Sequence, residues 1–124
     1  MTDRRLFALA VLTSALVAVQ FALAGEGAFG GTYTAHMVVG LIIAAMTLID
    51  LIAVLVSRAA RSRPSMLWPA VALAVLAIAV EPLLAEAGKR IAAVGALHAL
   101  TGVAILALTG WLVATTSRHR EKVG

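Results

Sequence analysis

Residues 34–57 read TAHMVVGLIIAAMTLIDLIAVLVS, an apolar run interrupted by His36 near one end and Asp50 near the other. An α-helix rises 1.5 Å per residue, so about 20 apolar residues cross the roughly 30 Å hydrocarbon layer of a bilayer. This run is long enough, and three others match it, at 6–24, 66–85 and 91–117. In hydrocarbon every backbone polar group must find an internal partner, which a helix provides within each segment. The reading is an all-α, integral membrane four-helix bundle occupying 1–124 as one domain.

Composition agrees. The chain is 62% hydrophobic and 13% charged, with a mean hydropathy of +1.02, too little polar surface for a water-soluble domain of this size. Absence of cysteine excludes disulfides, thiolate metal sites, thiol catalysis and iron–sulfur clusters. The formal charge of +4 does not indicate nucleic acid. The basic residues lie in short clusters between apolar runs, where anionic lipid headgroups would meet them.

Those clusters also set direction. Arg4, Arg5, Arg58, Arg61, Arg63, Arg118, Arg120 and Lys122 fall on the side of both chain ends, against Lys89 and Arg90 on the other. The positive-inside rule places both ends in the cytoplasm, with the protein in the inner (cytoplasmic) membrane. Short connections make successive spans antiparallel neighbours, hence an up-down-up-down order. The first span resembles a secretory signal, with Arg4 and Arg5 before an apolar run ending Ala22-Leu23-Ala24-Gly25. Its length suits a retained span better than a cleaved leader.

The chain repeats itself. Ala18-Val19-Gln20-Phe21-Ala22-Leu23-Ala24 closes the first span, and Ala79-Val80-Glu81-Pro82-Leu83-Leu84-Ala85 closes the third, 61 positions on. Each is followed by a histidine with glycine four residues later: His36 with Gly40, and His98 with Gly102, 62 positions on. Two helical hairpins of equal orientation are related by an axis along the membrane normal. That symmetry puts spans two and four on a diagonal, each turning a histidine toward the axis.

Depth strengthens the pairing. His36 lies 22 residues before Arg58, and His98 lies 20 before Arg118, so both stand about 30 Å from the basic end. Gly40 and Gly102 are one turn deeper on the same faces, and Gln20 and Glu81 fall near the glycine level. A haem held between diagonal helices needs two neutral imidazoles at matched depth. It also needs small residues nearby, so that the macrocycle can approach the backbone. Lys89 and Arg90 could neutralise propionates, Tyr33 and Thr34 could hydrogen-bond them, and Gln20 or Glu81 could orient an axial ligand.

The motifs His36…Gly40 and His98…Gly102 resemble those of bacterial four-helix membrane b-type cytochromes. The stretch Gln20-Phe21-Ala22-Leu23-Ala24-Gly25 with His36 and Gly40 also resembles a small bacterial four-span family of unassigned function. The resemblance covers nearly the whole chain. It implies haem b, electron transfer or redox and haem sensing, and a quinone or redox protein as partner beside the lipid bilayer. Those cytochromes often carry a second haem near the opposite surface. The remaining histidine here, His119 in the tail, provides no second pair, which argues for one haem and against unaided transfer across the membrane.

Other chemistries compete. His36, His98 and Glu81 could hold zinc, copper or iron. Glu81 or Asp50 could serve a small proton-coupled exporter working as a dimer, although such exporters usually carry the glutamate in span one, where this chain has Gln20. The polar residues could also only fix helix packing in an accessory subunit. Asp50, four turns beyond His36, is read first as an acceptor for Thr13, Ser14 or Thr109, and second as a proton carrier. Trp68 and Trp111 read as interfacial anchors, Met37 as a packing residue or a weak alternative ligand, and His119 as solvated tail.

Overall fold

The computed structural model of the chain describes residues 3–28, 30 and 32–121; the side chain of His119 lies outside what is described. Helix α1 covers Asp3–Ala28, α2 Thr34–Val56, α3 Arg58–Arg61, α4 Pro64–Val75, α5 Glu81–Gly88 and α6 Ala92–Glu121. A π-helical turn, Leu76–Val80, joins α4 to α5 in one continuous rod. Four rods are long and apolar enough to cross a membrane, and no strand occurs among the described residues. The chain is a multi-pass helical membrane protein.

The helices run past the apolar windows. The first continues through Gly25 and Glu26 to Ala28, and the third reaches Gly88. A helix ends where its hydrogen-bond ladder is interrupted, not where hydropathy falls. Gly30, with φ 102°, turns the chain between α1 and α2 in a backbone region that favours glycine. Ser57 ends α2 and caps α3, its Oγ accepting from the Ala60 N–H at 3.4 Å, and Pro64 opens α4. At the turn into α6, a Cβ added to Gly88 would stand 2.9 Å from the Gly95 Cα, so glycine permits that approach.

Neighbouring rods contact one another around a ring, α1 to α2, α2 to α4, α4 and α5 to α6, and α6 back to α1. No close backbone approach joins α2 to α6, or α1 to the third rod. Spans two and four are therefore diagonal, as the repeat predicts. The buried positions are mostly small: Ala10, Ala53, Ala70, Ala74 and Ala77, with Thr13, Thr47 and Thr109. Lipid is as apolar as leucine, so helices associate through close van der Waals contact between small residues, not through hydrophobic exclusion. Many of the large side chains face outward, Leu41 at 72% and Leu83 at 70% exposure; an apolar surface of this extent belongs against acyl chains.

Two prolines sit inside the third rod, and each leaves a trace. Pro69 has no N–H for the Ser65 carbonyl, and the Trp111 indole of α6 donates to that carbonyl at 3.1 Å. Pro82 likewise cannot serve Ile78 and crowds its carbonyl; the π turn stands directly before it.

The register of the two hairpins now becomes visible. Buried Ile43, Thr47, Asp50 and Val54 of α2 match buried Ile105, Thr109, Leu112 and Thr116 of α6, all 62 apart, as His36 and His98 are. Leu6, Ala10, Thr13 and Val17 of α1 match Met66, Ala70, Leu73 and Ala77, all 60 apart. Gln20 and Glu81, however, are 61 apart. The additional residue falls between Ala77 and Glu81, within the π turn. A π turn winds one extra residue into the helix, so Glu81 keeps the facing of Gln20.

Candidate functional site

His36 projects from the first turn of α2 and His98 from the second turn of α6, so the glycine-rich end of the bundle receives both. Although their helices are diagonal, the ring centroids are 6.3 Å apart, at an interplanar angle of 74°. An ion about 2 Å from one nitrogen of each imidazole, with the rings on opposite sides, sets the centroids roughly 6 Å apart. The same separation also permits edge-to-face contact of the rings.

Each Nδ1 has an oxygen beside it, although that of His98 does not meet hydrogen-bond geometry. That of His36 faces the Gln20 backbone carbonyl at 3.3 Å. That of His98 is in contact with the Glu81 carboxylate, Oε2. An imidazole whose Nδ1–H is held by a carbonyl or carboxylate presents Nε2 as its ligating atom, in a fixed orientation. Symmetry-related positions thus do the same work in both hairpins, Gln20 for His36 and Glu81 for His98. The Gln20 side chain adds a second contact, its Nε2 lying 3.3 Å from His36 Nε2. Tyr33 meets the other edge of His36, centroid to centroid at 6.0 Å.

The glycines behave differently from the sequence reading. A Cβ on Gly40 would stand 3.1 Å from Gln20 Nε2, and one on Gly102 would stand 3.4 Å from Phe21 Cζ. The room that the glycines leave is taken by two consecutive side chains of α1. Phe21 was invisible as a site residue in the sequence; its adjacency to Gln20 on the same closing turn was the available signal.

Lys89 and Arg90 have partners of their own. Lys89 pairs with Glu86 at 2.5 Å, both side chains 68% exposed. Arg90 lines a separate open hollow of about 450 Å³ with Leu83, Glu86, Ala87 and Ile91. Met37 is 62% exposed on the lipid-facing side, which removes it as a ligand. Two acceptor atoms at the centre, Gln20 Oε1 and Glu81 Oε1, are buried without a hydrogen-bond partner. Among the described residues no group of three or more His, Cys, Asp or Glu side chains converges for an ion.

Asp50 belongs elsewhere. It is buried toward the basic end, with Oδ2 accepting from Thr13 Oγ1 at 2.7 Å. Of the three acceptor-sharing partners expected, Thr13 is the one that bonds it; Thr109 donates instead to the Leu106 carbonyl at 2.9 Å.

No known protein family, curated protein or solved structure matches this chain.

Proposed function

We propose that the protein holds one haem b between His36 and His98, near the outer face of the cytoplasmic membrane, and acts in one-electron transfer or in redox and haem sensing. The observation that carries this reading is the pair of imidazoles meeting across the bundle diagonal, 6.3 Å apart, each with an oxygen beside Nδ1. A haem supplies four equatorial nitrogens and asks the protein for axial ligands alone. Two histidines are what the site offers, and Glu81 is already engaged with one of them. Bare transition ions take three or four protein donors. Gln20 and Phe21 would have to turn aside from the glycines to admit a macrocycle, and Gln20 would give up its contact with His36 Nε2, the atom that would bind iron. Bound there, haem supplies reversible one-electron chemistry, and His36 and His98 fix its position, with Gln20 and Glu81 setting the basicity of the two ligands. A quinone or a redox protein is the partner class that such a site would serve.

A second reading has its own support. Gln20 Oε1 and Glu81 Oε1 are buried and unpartnered; three ligand side chains do not converge as they stand, but turning both oxygens toward the imidazoles would complete a four-donor set for a bare zinc, copper or iron ion.

Pyridine haemochrome measured against protein concentration distinguishes them. A ratio near one to one is expected, with a low-spin spectrum that His36→Ala and His98→Ala each abolish. A colourless protein carrying one equivalent of metal would replace the haem reading with the second one.

The orientation proposed rests on the eight basic residues at one end of the bundle and the two at the other.

A further inference from the structure

Asp50 takes no part in the histidine site. Measured along the helices from the basic clusters, it lies about 12 Å deep and the histidines about 30 Å. Between them stand Val17, Ile43, Ala77 and Ile105, buried members of one apolar cluster at about 20 Å. The bundle thus has two polar compartments with an apolar partition.

The inner compartment is built for a carboxyl group in either protonation state. Thr13 Oγ1 lies 2.7 Å from Asp50 Oδ2 and 3.1 Å from the Leu9 carbonyl. A hydroxyl has one hydrogen and two lone pairs, so it can donate to only one of these acceptors at a time. With Asp50 ionised, Thr13 donates to the carboxylate. With Asp50 protonated, the acid donates to Thr13 Oγ1, and the threonine hydrogen turns to Leu9, an ordinary bond for a threonine in a helix. Both states are satisfied without movement of a heavy atom.

Asp50 also borders a cavity of about 10 Å³, room for about one water molecule. Leu6 and Ala10 of α1, Val54 of α2, Met66 of α4, and Leu112 and Thr116 of α6 complete its walls. Asp50 is the one ionisable group lining it among the described residues; Arg63, at the head of α4, has its Nη1 buried without a hydrogen-bond partner. Thr116 lies two residues before Arg118, so the cavity extends toward the basic end. Its hydroxyl donates to the Leu112 carbonyl at 2.7 Å, leaving lone pairs to accept from a water that also donates to Asp50.

We propose that Asp50 is a proton-binding site that exchanges with the aqueous phase at the basic end of the bundle, through a single water held between Asp50 and Thr116. A hydronium ion at that position transfers its proton to the carboxylate, leaving water and a neutral acid bonded to Thr13. The apolar partition confines the exchange to the inner compartment.

Aspartate occurs at positions 3 and 50 alone, which makes isotope editing selective. The full chain, labelled with ¹³C in the aspartate side-chain carboxyl and placed in phosphatidylcholine vesicles, is followed by infrared spectroscopy across a pH series and on transfer to D₂O. Asp3→Asn isolates the Asp50 band without touching the inner compartment. The expected result is a carboxylic acid band that grows as pH falls and shifts promptly in D₂O. Thr116→Leu, which fills the cavity, should retain the band and slow its deuterium shift by about tenfold. A band that never changes with pH, one that never exchanges, or one that exchanges as fast in Thr116→Leu as in the parent, would each overturn the proposal. Any of these leaves a carboxyl group that only ties α2 to α1.

Discussion

Replacing Gly40 with leucine tests the packing on which the histidine site depends. The Cβ alone would come within 3.1 Å of Gln20 Nε2, closer than ordinary van der Waals contact, and leucine carries three further carbons beyond it. Gln20 must move, and its 3.3 Å contact with His36 goes with it. Overpacking of this kind costs about 1–3 kcal/mol, while leucine in place of glycine returns somewhat under 1 kcal/mol of helix propensity. The net loss is about 0–2 kcal/mol, and its upper end weakens ligand binding roughly thirtyfold if the loss falls on the bound state. Gly102→Leu starts from a looser contact, 3.4 Å to Phe21 Cζ, and should lose less. Gly110 has nothing within 4 Å of an added Cβ, so Gly110→Leu keeps only the propensity gain. Reversible unfolding in mixed micelles, followed by circular dichroism alongside haem occupancy, should rank Gly110→Leu above the parent and Gly40→Leu lowest. If Gly40→Leu matches Gly110→Leu in stability and retains a full, unaltered haem spectrum, the reasoning from Gln20 to His36 fails.

Trp111→Phe should cost about 0.5–1.5 kcal/mol, because Ser65 loses the donor that replaces the one Pro69 lacks. In a Pro69→Ala background the alanine N–H reaches Ser65, and the same change should cost distinctly less; equal costs in a double-mutant cycle would show that the indole bond carries no such role. For orientation, a reporter fused after Gly124 should read cytoplasmic and one inserted near Gly30 external, and the opposite result at either point would reverse the assignment drawn from the basic residues.

Span number and order were legible because hydropathy and length act on whole segments, which side-chain detail hardly disturbs. Helix ends were not, since the ladder of α1 continues through Gly25 and Glu26 although the apolar run stops before them. Matched depth foretold that His36 and His98 share a level, and their convergence follows from the diagonal placement of α2 and α6. Their Nδ1 partners depend on helix rotation and rotamers, so nothing in the spacing separates the Gln20 carbonyl from its side chain as the partner of His36. The Lys89–Glu86 pair was legible too, since Glu86 precedes Lys89 by three residues, the spacing of a local helical pair. Trp111 shows a further limit. Its position suits an interfacial anchor, and only the proline one helix away explains which carbonyl its indole serves.

The π turn at Leu76–Val80 bears on the history of the chain. One residue added to an α-helix rotates everything beyond it by about 100°, which would have carried Glu81 away from His98. Coiling the surplus into a wider turn cancels the rotation, so the two hairpins could diverge in length and still agree in aim. Within one chain the two imidazoles have unlike neighbours, the Gln20 backbone carbonyl at His36 and the Glu81 carboxylate at His98. A homodimer of identical hairpins is denied that asymmetry by its own symmetry.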